Sequence, residues 1–310
     1  MLLKRLFAVS GVGGLFLFVV LLYGVGQADE HITLWTINPN TPFGNLVDRK
    51  ARMFSAHNPG VHLLSEHFSN DYYKLTLRSA MESAEAPHIV HNCGRSSIEA
   101  YARRGSLLPL NDIAGPLSRI LLPEVFEPVT IDGKIYGVPY SGLAGVFFWY
   151  RRDVFKKLDL TPPETWEEFL SVGEVLKKNG IVPIVLTNRN KWEGSFFYMY
   201  LVDRIGGPRL FHDVLTRADS FENPAFIRAG ELLQDLVRRD FFQKGFNRQR
   251  DEPGNWNSMI ISGQAGMYLM GSWLLSTINT LPSEIRNEFD FFPFPSVAGG
   301  DGSNKDIVGS

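Results

Sequence analysis

The sequence predicts an α/β fold in two lobes, each a mostly parallel sheet flanked by helices. Three observations predict it. The 310 residues exceed one domain of ordinary size. Strand-like and helix-like segments alternate from His31 to Arg103, which argues for a parallel sheet with right-handed crossovers. Thr130 to Tyr150, TIDGKIYGVPYSGLAGVFFWY, then holds two strand-like runs with no helix between them. Strands joined in this way can belong to different sheets, so the chain is read as leaving one lobe and entering the other here.

Composition narrows the function. The chain is 44% hydrophobic and 21% charged, with a formal net charge of −2. These are ordinary globular values, and no basic face points to nucleic acid. Residues 1–28 differ from the rest. Lys4-Arg5 precedes an uncharged apolar run, Leu6 to Val25, and Gly26-Gln27-Ala28 supplies small residues for a signal peptidase. The expectation is a signal peptide cleaved after Ala28. The alternative is an uncleaved anchor, since about 20 apolar residues also span a bilayer. Both place the remainder outside the cytoplasm. Cys93 is the one cysteine, so there is no internal disulfide and no lipoprotein anchor near the signal. A soluble periplasmic monomer fits.

In chain order, His31 to Ile37 reads as a first strand. Phe43, Leu46, Val47, Ala51 and Phe54 fall at helical spacing, and Asn58-Pro59-Gly60 stops that helix. Val61 to Phe68 is a second strand. Asn70 is placed to cap a helix with a buried stripe of Leu77, Ala80, Met81 and Ala84. Pro87 to Asn92 is a third strand, and Ser97 to Arg103 a short helix. Asp132-Gly133 marks a hairpin turn, and the strand after it, Lys134 to Tyr140, should end at Pro139, which cannot donate to a ladder. The second lobe begins near Ser141 with a strand, Val146 to Tyr150. Thr165 to Glu168 is a capping box, and Ile181 to Leu186 a strand. Trp192 to Ile205 is apolar nearly all round, so it should be buried on several sides. Asn223-Pro224 caps a helix with Phe226, Ile227, Leu233, Leu236 and Val237 inward. Trp256 to Ser262 is a short helix, Met267 to Met270 a strand, and Gly271-Ser272-Trp273 opens another helix. The domain plan is residues 1–28 signal, 29–140 lobe one, 141–293 lobe two, and 294–310 a second crossing back toward lobe one, with hinges near 140–145 and 293–296.

Several stretches carry a resemblance. GKIYGVPY, FFWYRRDVFKKLDL and TPPETWEEF are similar to a pattern of extracellular solute-binding proteins of sugar-type ABC importers. Gly263-x-Ala265-x-Met267-x-x-x-Gly271-x-Trp273 is similar too, and is the most specific match. Arg151-Arg152 departs from the family's Asn-Lys. The resemblance covers most of residues 30–310. It implies the two-lobed periplasmic-binding-protein architecture, a ligand cleft between lobes that close by a hinge, recognition by membrane permease subunits, and no catalysis. Family members continue beyond this length, so the sequence reads as incomplete at its carboxyl end.

Sugars offer an apolar ring face and a rim of hydroxyls, so aromatic rings beside Asn, Asp, Glu or Gln form their sites. In parallel sheets such groups gather after strand carboxyl ends. Trp273, at a helix start beside Gly271, is the leading candidate, because a glycine lets a ligand approach the backbone. Core packing is its alternative. The resemblance implies a cleft position for Trp192, with Glu193 beside it, and a buried anchor is its alternative. Trp35, Glu66, Asn38 and Asn92 follow strands, against packing or turn-forming roles. Trp149, Trp166 and Trp256 read as packing residues.

Five of the seven histidines lie between positions 57 and 91. His62 and His67 are five apart in a strand and point to opposite faces. No metal-ligand spacing recurs, so no metal site and no cofactor is expected. His91 with Cys93 lacks an orienting partner for nucleophilic work. No phosphate loop or dinucleotide glycine set occurs outside the first 28 residues. The expected function is capture of a carbohydrate-like solute and delivery to an importer. A carbohydrate-active enzyme would need paired carboxylates, and Glu66, Asp71 and Glu193 are the only acids to nominate. A membrane-anchored ligand sensor is the other alternative.

Overall fold

Strand β1 (Glu30–Ile37) forms the middle of the first sheet, and its neighbours follow from where its alternate residues point. The computed structural model describes residues 29–37, 41–140, 144–249 and 257–309. They fall into two units dividing between residues 142 and 143. Helix α1 (Pro42–His57) follows β1. Thr41 caps it by accepting the Gly44 amide at 3.0 Å, and Pro42 occupies its first turn. Strand β2 (Val61–Phe68), helix α2 (Asn70–Ala80) and strand β3 (Ile89–Val90) complete an order β2-β1-β3, parallel throughout. Leu34 and Leu63 meet Ala51 of α1 on one face, with Ile32, Val47, Phe54 and Ile89 around them. On that face Asp48 accepts from Ser65 and is paired with His67, both at 2.6 Å. These bonds hold its carboxyl below the usual range.

Two details of this half differ from expectation. Asn70 is the first helical residue of α2 and Ser69 stands at its cap. The helix then ends at Ala80, so Ala84 lies in an exposed turn, and Tyr73 takes the inward place beside Leu77. Helices α3 (Ser96–Arg103) and α4 (Asn111–Ala114) lead to two 3₁₀ turns, Gly115–Arg119 and Pro123–Val129. Strands β4 (Thr130–Ile131) and β5 (Lys134–Ile135) then form the expected hairpin. Asp132 and Gly133 both have positive φ (49° and 73°), the primed turn that suits strand twist. The paired strand ends at Ile135, four residues before Pro139, and the in-register bond from the Tyr136 amide to Val129 O at 2.9 Å closes the ladder.

In the second unit come β6 (Val146–Arg151), α5 (Arg152–Lys157), α6 (Trp166–Lys178), β7 (Val182–Val185), α7 (Trp192–Gly206), α8 (Leu210–Leu215) and α9 (Pro224–Arg238). Then follow α10 (Asn257–Ile261), β8 (Ala265–Gly271), α11 (Leu274–Ile278), α12 (Ser283–Arg286) and β9 (Phe289–Phe292). The sheet order is β7-β8-β6-β9. Only β7 and β8 run parallel, which corrects the expectation of a mostly parallel sheet here. Strand β6 lies antiparallel to β8. Strand β9 returns antiparallel to β6 in turn. The core gathers Phe148, Phe169, Phe197 and Phe294, none of them exposed. In α9 the buried set is Ala225, Phe226, Ala229, Leu232 and Leu236, while Ile227 and Val237 are exposed. Phe226, Leu233 and Leu236 face inward as expected, so only Ile227 and Val237 depart from that face, and Ala225 and Ala229 complete it.

Residues 293–309 stay on the second unit as far as Gly309, which bridges to Gly145. Gly300 and Gly302 pass so close to α7 that an added Cβ would stand 2.0 Å and 2.1 Å from the carbonyls of Arg204 and Asp203. Arg204 is fully buried. It donates to Phe294 O at 3.1 Å and Asp306 O at 2.9 Å, pairs with Asp203, and lies over the Tyr200 ring.

The capping box of α6 forms as expected. Thr165 accepts the Glu168 amide at 3.3 Å, and Glu168 accepts the amides of Glu164 and Thr165, which lowers its pKa. Thr165→Ala is expected to cost about 1 kcal/mol of stability, read as a lower urea midpoint with an unchanged slope.

Candidate functional site

Each unit carries an aromatic group at the carboxyl end of its sheet. In the second unit β8 ends at Gly271, and Trp273 opens α11 two residues later. A Cβ on Gly271 would stand 2.0 Å from the Trp273 ring, so the indole lies on bare main chain. The face expected to be open to a ligand at Gly271 is therefore taken by Trp273, which stays 40% exposed. Trp192, at the start of α7, has its ring 6.3 Å from that of Trp273 at 53°, and Phe196 is 6.2 Å from Trp273. The three rings form a corner. Trp192 is half-buried, and its indole N–H is buried with no partner among the described residues.

The loop before α7 holds this corner in place. Lys191 adopts φ 71°, and Asn188 accepts the Gly194 amide at 3.1 Å while donating to Asn247 at 2.7 Å. Glu193 is fully buried and accepts from Thr187 at 3.2 Å. It supports the start of α7 and presents no carboxylate to solvent.

In the first unit Trp35 of β1 is half-buried, with its ring 4.9 Å from Phe68. Glu66 is its register partner on β2 and is exposed on the same sheet face. Tyr72, 60% exposed, lies beside Phe68. Tyr73 donates to the His91 carbonyl at 2.7 Å. The Tyr140 hydroxyl is hydrogen-bonded with His91 Nδ1, and the Tyr140 ring stacks on Phe43 at 5.4 Å. Burial pushes the Tyr73 and Tyr140 hydroxyls well above their ordinary range. Burial, with Lys74 adding to it, lowers His91 to about 4.

The remaining expected residues sort as follows. Asn92 accepts the Gly94 amide at 2.8 Å and the Ser97 hydroxyl, which is a turn-forming arrangement that starts α3. Asn38 and Trp256 lie outside the described residues. Trp149 and Trp166 are core, each 3% exposed. Phe43, Tyr72, Tyr140 and Phe196 lie in these aromatic groups and were not among the expected residues. Tyr140 directly follows Pro139 in the GVPY stretch, and that position was the available signal. Among the described residues no group of three acidic, histidine or cysteine side chains is placed to hold a metal.

Two expectations follow. Gly271→Ala places a methyl where the indole lies, so the ring must swing away; the near-ultraviolet circular dichroism should change, and a Trp273→Phe background should remove that difference. His91 binds a proton in the unfolded chain below about pH 6.5 but in the folded chain only near pH 4. Stability should therefore fall as pH drops across that window, by at most roughly 3 kcal/mol from this group. Urea midpoints at pH 7 and 4.5 should converge in His91→Gln relative to the parent.

The family profile of bacterial extracellular solute-binding proteins matches residues 42–310. An uncharacterized ABC transporter extracellular-binding protein of Pyrococcus horikoshii is 27% identical over 280 residues, 87% of this chain and 63% of that protein. The multiple sugar-binding protein of Streptococcus mutans is 27% identical over 180 residues, 56% of this chain and 41% of its own. A solved structure described with xylan utilization by the thermophilic bacterium Caldanaerobius polysaccharolyticus superposes with a TM-score of 0.83 at 26% identity. That match covers 90% of this chain and 71% of the other. The chain thus spans less than two thirds of the length of these two curated relatives.

Proposed function

We propose that this chain, which belongs to the bacterial extracellular solute-binding protein family, captures a carbohydrate-like solute and hands it to the permease subunits of an ABC importer. The corner of Trp192, Phe196 and Trp273 carries this reading. A large indole that stays 40% exposed on a glycine-built seat gives up burial and keeps an apolar face for a partner. A pyranose offers the matching face. The sugar-binding relative supports the substrate class. The protein acts by binding alone and breaks no bond; Glu193, the acid at the corner among the described residues, is buried on Thr187. It is a periplasmic monomer whose amino-terminal segment is removed after Ala28. No helix among the described residues is long and apolar enough to cross a membrane.

A thermal-unfolding panel of mono- and disaccharides, polyols and amino acids tests this on the mature protein. A ligand at about 100 times its dissociation constant should add about 2.7 kcal/mol, a rise of roughly 5 to 10 °C. The sugar should be recovered intact, and Trp273→Ala should abolish the rise, measured against that variant's own ligand-free Tm. No shift with any sugar, or a sugar recovered cleaved, sinks the reading.

A further inference from the structure

We propose that the mature amino terminus is a Cu(II)- and Ni(II)-binding site. Its donors are the α-amine of Asp29, the main-chain nitrogens of Glu30 and His31, and the His31 imidazole. The inference rests on the cleavage after Ala28 proposed above, which leaves Asp29-Glu30-His31 as the first three residues. A free amine two residues ahead of a histidine closes three fused chelate rings around one ion. Four nitrogens in a plane suit Cu(II) and Ni(II), whereas Zn(II) prefers a tetrahedral set.

The fold leaves this segment reachable. Glu30 and His31 are exposed at the outer end of β1, and no core side chain has to move. Binding gives up the Glu30 N–H to Gly60 carbonyl bond at 2.8 Å and loosens the pairing of Glu30 with Val61 at the strand's first pair. His62 of β2 is the register partner of His31, and the two rings stack at 5.1 Å and 23°. The His62 ring nitrogen lies 3.6 Å from the Asp29 carboxylate. A second imidazole thus stands beside the first, where it can reach the ion from above the plane. The donor set is of a different kind from a side-chain cluster, since three of its four atoms belong to the main chain. Binding displaces the ammonium proton and two amide protons with no change of oxidation state, so affinity rises with pH.

The test uses mature protein purified from the extracytoplasmic fraction, its amino terminus determined by mass, titrated with Cu(II) alone in a non-chelating buffer. One equivalent should bind and give the high-energy visible band of a planar four-nitrogen site. His31→Gln should lose that band, and His62→Gln should keep it at a shifted position. Both positions are exposed, so these variants retain the fold. Weak binding of several ions that His31→Gln leaves unchanged overturns the proposal, as does a mature chain that begins elsewhere than Asp29. The sugar panel is read separately: copper binding without sugar binding removes the capture reading alone, and the reverse removes this proposal alone.

Discussion

Strand β8 is buried at every position from Ala265 to Gly271, and most of the second unit takes its place from it. A strand covered on both faces must still let its neighbours come close. Two glycines make that possible. A Cβ on Gly266 would stand 2.5 Å from Leu176, so α6 sits directly on the strand, and Gly271 does the same for the Trp273 indole. Strand β6 pairs with β8 over five residues, Val146 to Tyr150, and the Trp149 indole donates back to Met270 O at 2.9 Å. The same strand therefore fixes a core helix at one end and an exposed aromatic ring at the other.

A second constraint joins that ring to the end of the chain. Arg204 carries its charge into a site with no solvent access, which is tolerable only if its donors are satisfied. Asp203, Phe294 O and Asp306 O satisfy them. Burial raises the Asp203 carboxyl, and the Arg204 charge works against that rise. Helix α7 thus has Trp192 at its start and the clamp on residues 293–309 at its end. Tyr200, one turn before Arg204, donates to the Val146 carbonyl, so the clamp also touches the first residue of β6. A change at either end of α7 is felt through a helix packed on nearly all sides.

Local chemistry made much of the fold legible. The Asp132-Gly133 turn, the Thr165 capping box, the Asn223-Pro224 cap and the all-round apolar α7 depend on neighbours in sequence, and each stands where the residues indicated. Features that depend on distant partners were not legible in that way. The direction of β6 is set by β8, over a hundred residues later. In α9 no hydropathy pattern announces the exposure of Ile227 and Val237, or the burial of the small residues Ala225 and Ala229 in their stead. Strand β3 is cut to two residues because only Leu34 and Trp35 of β1 are opposite it.

The tryptophans show where the same limit falls within the site. Trp166 and Trp273 both stand at helix starts in the sequence, yet one is 3% exposed and the other 40%. The difference lies in what precedes them. Trp166 follows a threonine cap whose helix packs its stripe on the sheet, and its ring stacks on Phe169 at 5.2 Å. Trp273 follows a strand that ends in glycine, so its ring folds back over main chain and keeps one face outside. Glycine before tryptophan at the end of a buried strand is therefore the pattern that separates a presented ring from a packed one. Tyr140 extends the argument to the first unit. Its position after Pro139 keeps it off a strand ladder, and His91 then holds its hydroxyl while its ring stays 38% exposed beside Phe43. In both units the presented ring is held by groups that no local sequence window contains together.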